Sequence, residues 1–495
     1  MGSTFGGYSI AVSGMRVNQA ALTVTSHNIA NVDTTGYSRQ TIALTETVND
    51  PAGSSAAGTG ATVAEVKRAR SQLLDNTYRQ QNTEVEYWSS KSGTLDYLQE
   101  ILDEFAISDA SDDDTSADGL QQTIQNFFDS WDNLASDPSS VSTRQSVVEN
   151  AASLLDTLSQ IDEQLQSLQA DALTAAGDIV DEINNIASQV SALNLLIAKA
   201  EANSGEAGDL RDQRDDLLDQ LSAYTNFSSQ EASNGMVSVF IGGVALVSGT
   251  KANSLSISGD GSTANPVQVT WTSTQTTAKI TGGSLLACLE EADQSGFAAI
   301  NDTDTYNFTA TATSSISTLR QGLNDLITTI ASKINSLHSA GTDLEGNTGL
   351  DFFVVVDASQ PLSISNIQVN PEIEANTNKL VAGTSGDAGD NTVANAISSL
   401  LSEKIFQYNG LSQDLTGFYQ SIIAWVGTAG SNATNAYDVH STLATQADNQ
   451  RLSISSTSLD EEMSNMIKYQ TAYSAASRVL STIDNLIGGL IEELG

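Results

Sequence analysis

The chain has one cysteine, Cys288, in 495 residues. No disulfide can form within it, so stability must come from packing. Cys288 sits in the run Leu285-Leu286-Ala287-Cys288-Leu289 and reads as a small buried hydrophobe. Basic residues are scarce: twenty Lys and Arg stand against sixty Asp and Glu, a formal net charge of −40. That balance excludes nucleic-acid binding, which needs cations to replace counterions on phosphates, and it disfavours anionic membranes. It favours solubility and repulsion between copies outside any specific contact, and a saline habitat would produce the same bias. No apolar run reaches the ~18 residues of a membrane span, so no membrane insertion is expected. No basic start followed by an apolar stretch marks a cleavable export signal, and Gly6 stands where a myristoylation signal wants Ser or Thr. The three histidines, His27, His338 and His440, lie too far apart for a metal signature and read as structural. Phosphate-binding loops, nucleophile elbows and paired-cysteine motifs are missing too. Asp343, Glu345 and Asn347 approach a calcium loop, but Gly346 comes too early. The expectation is therefore no catalysis, no cofactor and no metal.

What the sequence does contain is helix. At 495 residues, several domains are expected at roughly 150 residues each. Residues 8–32 place Ile10, Ala11, Gly14, Met15, Asn18, Ala21, Leu22, Thr25 and Ile29 three or four apart. Many are small, so this helix needs a partner surface. Residues 41–70 read as short strands with a turn at Asp50-Pro51-Ala52-Gly53, ending in the basic island Lys67-Arg68-Ala69-Arg70. The island is either a solvated patch or a contact to an acidic neighbouring copy. From 71 to 221 helical spacing dominates. One stripe runs from Leu73 and Leu74 through Trp88, Leu95 and Leu98 to Phe105, and Asp112-Asp113-Asp114 breaks it as a solvated loop. A second helix carries Leu120, Ile124, Phe127, Phe128 and Trp131 and stops at Asp137-Pro138. A third, from Leu154 to Ile197, suggests coiled-coil-like packing between antiparallel helices. Arg211 and Arg214 amid Asp209, Asp212, Asp215 and Asp216 look like salt bridges one turn apart, Arg211 with Asp215 for one.

Residues 226–300 turn to Ser, Thr, Gly and β-branched side chains, with strands at 236–244 and 267–271. Helix returns from Ile316 to Leu337. The fold class expected is mainly α with an inserted β domain. Its parts are an N-terminal axial helix and strands (1–70), a helical bundle (71–225), a β-rich outer domain (226–305), a return helix with loops (306–400) and a C-terminal helical segment pairing with the N-terminus (401–495).

The last helix has the sharpest signal. Ser458 with Glu461 three residues on forms a capping box. Leu459, Met463, Met466, Ile467, Tyr473, Leu480, Ile483, Leu486, Ile487 and Leu490 then recur at helical spacing. Each large side chain left in water forgoes roughly 1.5–3 kcal/mol, so the stripe calls for the N-terminal helix, neighbouring copies or a chaperone.

Residues 26–40 carry a resemblance. Asn28, Ile29, Ala30, Asn31, Val32, Asp33, Thr34, Thr35 and Gly36, then Tyr37, Ser38, Arg39 and Gln40, resemble the N-terminal signature of flagellar axial proteins, the rod, hook and hook-associated family. The Tyr37-to-Gln40 ending is most similar to the hook–filament junction branch, FlgK. The segment from Asp209 to Leu218, the loop from Leu337 to Gly346 with Phe352-Phe353, and the stretch from Ser458 through Tyr473 are similar to that branch in the same order. The resemblance implies a structural subunit with paired terminal helices lining an inner tube and the middle of the chain facing outward. It implies self-association into a helical ring, contact with the hook protein and the second junction protein, a cytoplasmic export chaperone, and the flagellar type III export apparatus. The place implied is extracellular, at the hook–filament junction. Asn28 and Asn31 would hydrogen-bond where the helix stops, Gly36 would allow the turn, Tyr37 would hold its hydroxyl at a polar rim, and Arg39 would meet a carboxylate. The alternatives are another axial protein, hook subunit or flagellin, and a secreted adhesin using the β insert. The hook subunit would not carry the segment from Asp209 to Leu218, and flagellin would lack the motif from Asn31 to Gly36.

Overall fold

In the computed structural model, residues 3–48, 58–104, 119–202, 205–294, 306–308 and 313–494 are described. The expected turn at Asp50-Pro51-Ala52-Gly53, Phe105 and the loop Asp112-Asp113-Asp114 lie outside them. Helix α1 (Ser3–Ala30) leads into an antiparallel hairpin of β1 (Gln40–Val48) and β2 (Gly58–Arg68). Gln40 lies opposite Arg68, and the register shifts at Ala43/Leu44 and again at Thr47/Val48. Helices α2 (Gln72–Glu104), α3 (Leu120–Ser136), α4 (Val141–Glu201) and α5 (Gly208–Tyr224) follow. Ser140 caps α4, its hydroxyl accepting from Thr143 N–H, and the helix then runs 61 residues, about 90 Å at 1.5 Å per residue.

Its length explains the architecture. The first half of α4 enters a large core with Leu154, Leu158, Ile161 and Leu165. The second half enters a smaller core with Val180, Ile183, Ile186 and Val190. The smaller core is the β insert: β3 (Ser228–Glu231), β4 (Val237–Ile241), β5 (Val244–Ser248) and β6 (Lys251–Ala252) form one antiparallel sheet, and β7 (Leu255–Ser258) pairs with β8 (Gln268–Trp271). Alternation sends Val237, Val239 and Ile241 inward beneath Trp271. The end of the stretch read as β is a helix, α6 (Gly283–Ala292). Its Leu285 and Ala287 are buried, and the Leu- and Ala-rich run favours helix over strand. Cys288 is half-buried there, and burial, with Glu291 nearby, pushes its thiol up to about 11.

The large core is completed by strand β9 (Tyr306–Phe308) and helix α7 (Ser315–Ser339), which contains the helix expected at 316–337. The pair β10 (Phe353–Val354) and β11 (Gln368–Val369), and the short helices α8 (Pro371–Ala375) and α9 (Thr392–Ser399), come next. A hairpin of β12 (Phe406–Tyr408) and β13 (Leu411–Gln413) pairs in parallel with β9. Helix α10 (Leu415–Ser455) is capped by Asp414 accepting from Gly417 N–H, and α11 (Leu459–Leu494) ends the chain. No helix among the described residues is long and apolar enough to cross a membrane.

Two long antiparallel pairs result. The first is α2 with α10: Ser92 Oγ lies 3.1 Å from Thr434 Oγ1, and His440 Nδ1 lies 3.2 Å from Gln81 Oε1. Helix α4 also packs antiparallel against α3 and α5, to which short connections join it, as its stripe suggests, and it meets α7 and α6 between them. The second pair is α1 with α11, and a Cβ on Gly14 would lie 3.8 Å from that of Ala476. Pairing with the N-terminus, expected for residues 401–495, thus belongs to α11, while α10 lies on α2. Leu73, counted in the α2 stripe, is 75% exposed. It lies beyond the end of α10, whose Arg451 already stands over Tyr78.

Candidate assembly site at the base of the terminal helix pair

The loop after α1 is built around Asn28, which is 1% exposed. Its Oδ1 accepts from the Tyr37 hydroxyl at 2.7 Å and from Gln40 N–H at 2.9 Å. Its Nδ2 donates to the Gln40 carbonyl at 2.9 Å and to Glu462 Oε2 at 3.2 Å. Asn28 thus pairs with Gln40 as a neighbouring strand would and also bridges α1 to α11. Asn31 closes the helix end: its Nδ2 donates to His27 O at 3.0 Å and its Oδ1 accepts from Thr34 Oγ1 at 3.2 Å. Gly36 sits at φ +79°, the left-handed region that favours glycine, and turns the chain. His27 Nδ1 lies 3.0 Å from the Tyr37 hydroxyl, whose pKa is raised by burial and then by Asp209, Asp212 and Glu462.

Ser38 and Arg39 tie this loop to two other elements. Ser38 donates from its backbone N–H (3.0 Å) and its hydroxyl (2.7 Å) to the Asp212 carboxylate of α5. Arg39 donates its N–H to Ser455 O at 2.9 Å, its Nε to Glu462 at 2.8 Å, and lies 3.1 Å from Glu461. Gln40 Nε2 reaches Asp209 at 3.0 Å. The capping box forms in part. Ser458 Oγ accepts from Glu461 N–H at 3.5 Å, while the Glu461 carboxylate turns to Arg39, a charged partner that outweighs a backbone amide.

The basic island is neither a wholly solvated patch nor left free for a neighbour. Lys67 is exposed and pairs with Glu65, but Arg68 and Arg70 are buried against α5 of the same chain. Arg68 Nη1 lies 2.8 Å from both Asp212 and Asp215, and its Nε 2.9 Å from Glu206. Arg70 reaches Asp75 at 2.9 Å, and Arg79 reaches Asp219 at 2.6 Å. Arg451 of α10 pairs with the same Asp219 and lies 4.2 Å over the Tyr78 ring. Burial works to raise the pKa of Asp215, but Arg70, Arg68, Arg79 and Arg214 outweigh it and hold the carboxyl at about 2. The expected Arg211–Asp215 pair does not form: Arg211 turns to Glu201 at 2.6 Å and Glu231 at 2.6 Å. Asp215 is claimed by three guanidiniums from other elements. Hairpin, α2, α5 and α10 are therefore locked together where the terminal pair enters. Asp212, Asp219, Arg451 and Glu462 were not foreseen as site residues. The visible signal was the spacing of Asp209, Asp212, Asp216 and Asp219, which puts carboxylates on one face of α5.

The pair itself is incompletely covered. Small residues of α1, Ala11, Val17 and Ala21, are buried, and a Cβ on Gly7 would come within 3.4 Å of Ile483. On α11, Met466, Tyr473, Leu480, Ile483 and Ile487 are half-buried. Leu459, Met463, Ile467 and Leu486 are exposed, Ile467 by 63%, and the side chain of Leu490 lies outside the described residues. The apolar stripe is wider than α1 can cover. Among the described residues no group of His, Cys, Asp or Glu could hold a metal. Buried His338 has its Nδ1 at the Leu350 carbonyl and accepts at Nε2 from Val381 N–H, and burial lowers its pKa to about 4.

Known proteins match this sequence over its whole length. A family described as the helical domain of flagellar hook-associated protein FlgK matches residues 107–353. The flagella basal body rod protein family matches residues 9–37, and the C-terminal family of flagellar basal body rod FlgEFG proteins matches 448–492. Flagellar hook-associated protein 1 of Bacillus subtilis (strain 168) is 28% identical over all of this chain and 99% of its own length. The chain belongs to the FlgK family. The Escherichia coli (strain K12) protein of the same name is 23% identical over 97% of this chain and 98% of its own. The solved flagellar hook junction protein FlgK from Burkholderia pseudomallei shares the fold at TM-score 0.60 and 16% identity, covering 78% of this chain and 100% of that one. The two axial families coincide with α1 and its loop and with the end of α10 and α11, the elements that form the terminal pair and its base.

Proposed function

We propose that this FlgK-family chain is a structural subunit of the bacterial flagellum that forms the junction between hook and filament and catalyses no reaction. The observation that carries this reading is the open apolar face of α11, held on a rigid base by Asn28, Ser38 and Arg39. A helix pair that leaves Met463, Ile467 and Leu486 in water is completed by other subunits. In this reading α1 and α11 line the inner tube, and the bundle with its β insert faces outward. The partners are further copies, the hook protein and the second junction protein. Before export a cytoplasmic chaperone covers α11, and the chain leaves through the flagellar type III apparatus to an extracellular position. A lone cysteine suits threading, because no disulfide has to be opened.

A strain lacking the gene tests this. It should build hooks without filaments and spill filament subunits into the medium; filaments of normal length would refute the junction role.

A further inference from the structure

Among the described residues Met463 is the one exposed methionine, at 50%. Met15, Met236 and Met466 are half-buried. Its neighbour fixes its place on α11. Glu462 is 2% exposed, and its carboxylate accepts from Asn28 Nδ2 at 3.2 Å and from Arg39 Nε at 2.8 Å. One residue on, and so about 100° further around the helix, Met463 turns its thioether away from α1. Leu459 and Ile467 lie one turn to either side on the same face and are 45% and 63% exposed. Met463 is thus the centre of a short apolar stripe that α1 leaves in water.

The members of that stripe differ in what chemistry can do to them. Leucine and isoleucine are inert to mild oxidants, whereas a thioether sulfur takes up an oxygen atom and becomes a polar, chiral sulfoxide. The surrounding charge selects the oxidant. Asp460 and Glu461 are exposed in the same first turns of α11, and the chain carries a net charge of −40. Anionic oxidants are repelled by that field, and a small neutral peroxide is not.

We propose that Met463 is a site of reversible oxidation by hydrogen peroxide, and that its sulfoxide blocks assembly through α11. The sulfur lone pair attacks one peroxide oxygen, an S–O bond forms and the O–O bond breaks. The proton of the transferred oxygen passes to the departing one, which leaves as water; sulfur is oxidised and peroxide reduced. Methionine sulfoxide reductase reverses the change. This rests on the assembly reading above and adds a modification site to it. The sulfoxide oxygen is a strong acceptor, and a subunit that covers the stripe buries it without a donor, which opposes the contact. A sulfur already covered is out of reach. Oxidation therefore stops new junctions and leaves finished ones standing.

The test has a chemical arm and a genetic one. With hydrogen peroxide on the purified full-length chain, peptide mass spectrometry should find sulfoxide at Met463 forming at least about fivefold faster than at Met236 or Met466. In isolated flagella the Met463 rate should drop by about tenfold or more. In strains scored for hooks that bear filaments, Met463→Gln, an uncharged polar stand-in for the sulfoxide, should lower attachment by about tenfold or more, and Met463→Leu should stay within about twofold of the parent. Far-UV circular dichroism of each purified chain confirms folding. After a brief peroxide pulse, new filaments should fall at least about threefold further in the parent than in the Met463→Leu strain. Equal loss in the two strains, normal attachment of Met463→Gln, no preference for Met463 in the monomer, or equal oxidation in monomer and flagella overturns the site. Ile467→Ser with Leu486→Ser separates the two levels. If it abolishes attachment while Met463→Gln does not, the oxidation site falls and assembly through α11 stands; if neither acts, both fall.

Discussion

Two antiparallel helix pairs of similar length meet opposite fates. In α2/α10, Leu95, Leu98 and Leu102 face Phe418, Ile422 and Val426 in the large core, all of them buried. In α1/α11 the buried residues are mainly small ones of α1, and the large side chains of α11 are half-buried or exposed. The same geometry thus serves as a finished core in one place and an open surface in the other. The difference lies in side-chain size and in neighbours. α2/α10 is flanked by α6 and α7, whereas α1/α11 has the β hairpin on one side and solvent elsewhere. A pair left open in this way is marginal alone and gains stability from contacts beyond the chain.

The largest effect should come from breaking the closed pair. Phe418, stacked on Phe406 at 4.7 Å and fully buried, should cost about 3–5 kcal/mol as Phe418→Ala in urea unfolding. Ile467→Ser on the open pair should cost under about 0.5 kcal/mol in the same assay and yet abolish filament attachment. Equal costs would erase the distinction between the pairs. Next comes the joint. Asp215→Asn leaves buried guanidiniums short of a carboxylate and should cost about 3 kcal/mol, with residues 38–40 and 68–70 becoming protease-sensitive before the bundle. A pH effect is confined to the bundle. Asp325 of α7 is fully buried, and burial raises its carboxyl to about 8, against a weaker lowering by Gln321. Between about pH 4 and 8 the folded chain holds a proton that the unfolded chain has lost, so stability falls with rising pH across that window and levels off above it. Asp325→Asn should remove that slope in thermal melts and leave the terminal pair unchanged. Last is Gly36→Val, a β-branched residue at φ +79°, expected to cost about 1–2 kcal/mol at the turn and to lower attachment more than global stability.

Much of this was legible in the sequence because helical periodicity survives where one face is uniformly apolar. α3, α7 and α11 announced themselves through residues such as Phe127, Ile330 and Ile483. α10 did not stand apart from the last helix, since Gly427, Ser431, Asn435 and Thr442 dilute its stripe. The inner face of the site was legible as a motif: Asn28, Tyr37 and Arg39 hold the loop as their chemistry suggested. The joint was not, because its partners lie far apart in sequence. Arg68 meets Asp212 and Arg451 meets Asp219 only once the hairpin and α10 have docked on α5. Charge spacing on α5 suggests pairing within that helix, whereas burial delivers those carboxylates to arginines of other elements. Nor could periodicity tell how much of the α11 stripe its partner covers.

Hydrogen exchange of the purified full-length chain, in dilute solution and in isolated flagella, measures that coverage most directly. The account predicts rapid exchange over residues 3–30 and 459–494 in the monomer, slow exchange in α2, α4, α7 and α10, and protection of both terminal helices in flagella. Full protection of residues 459–494 in the dilute monomer would contradict it.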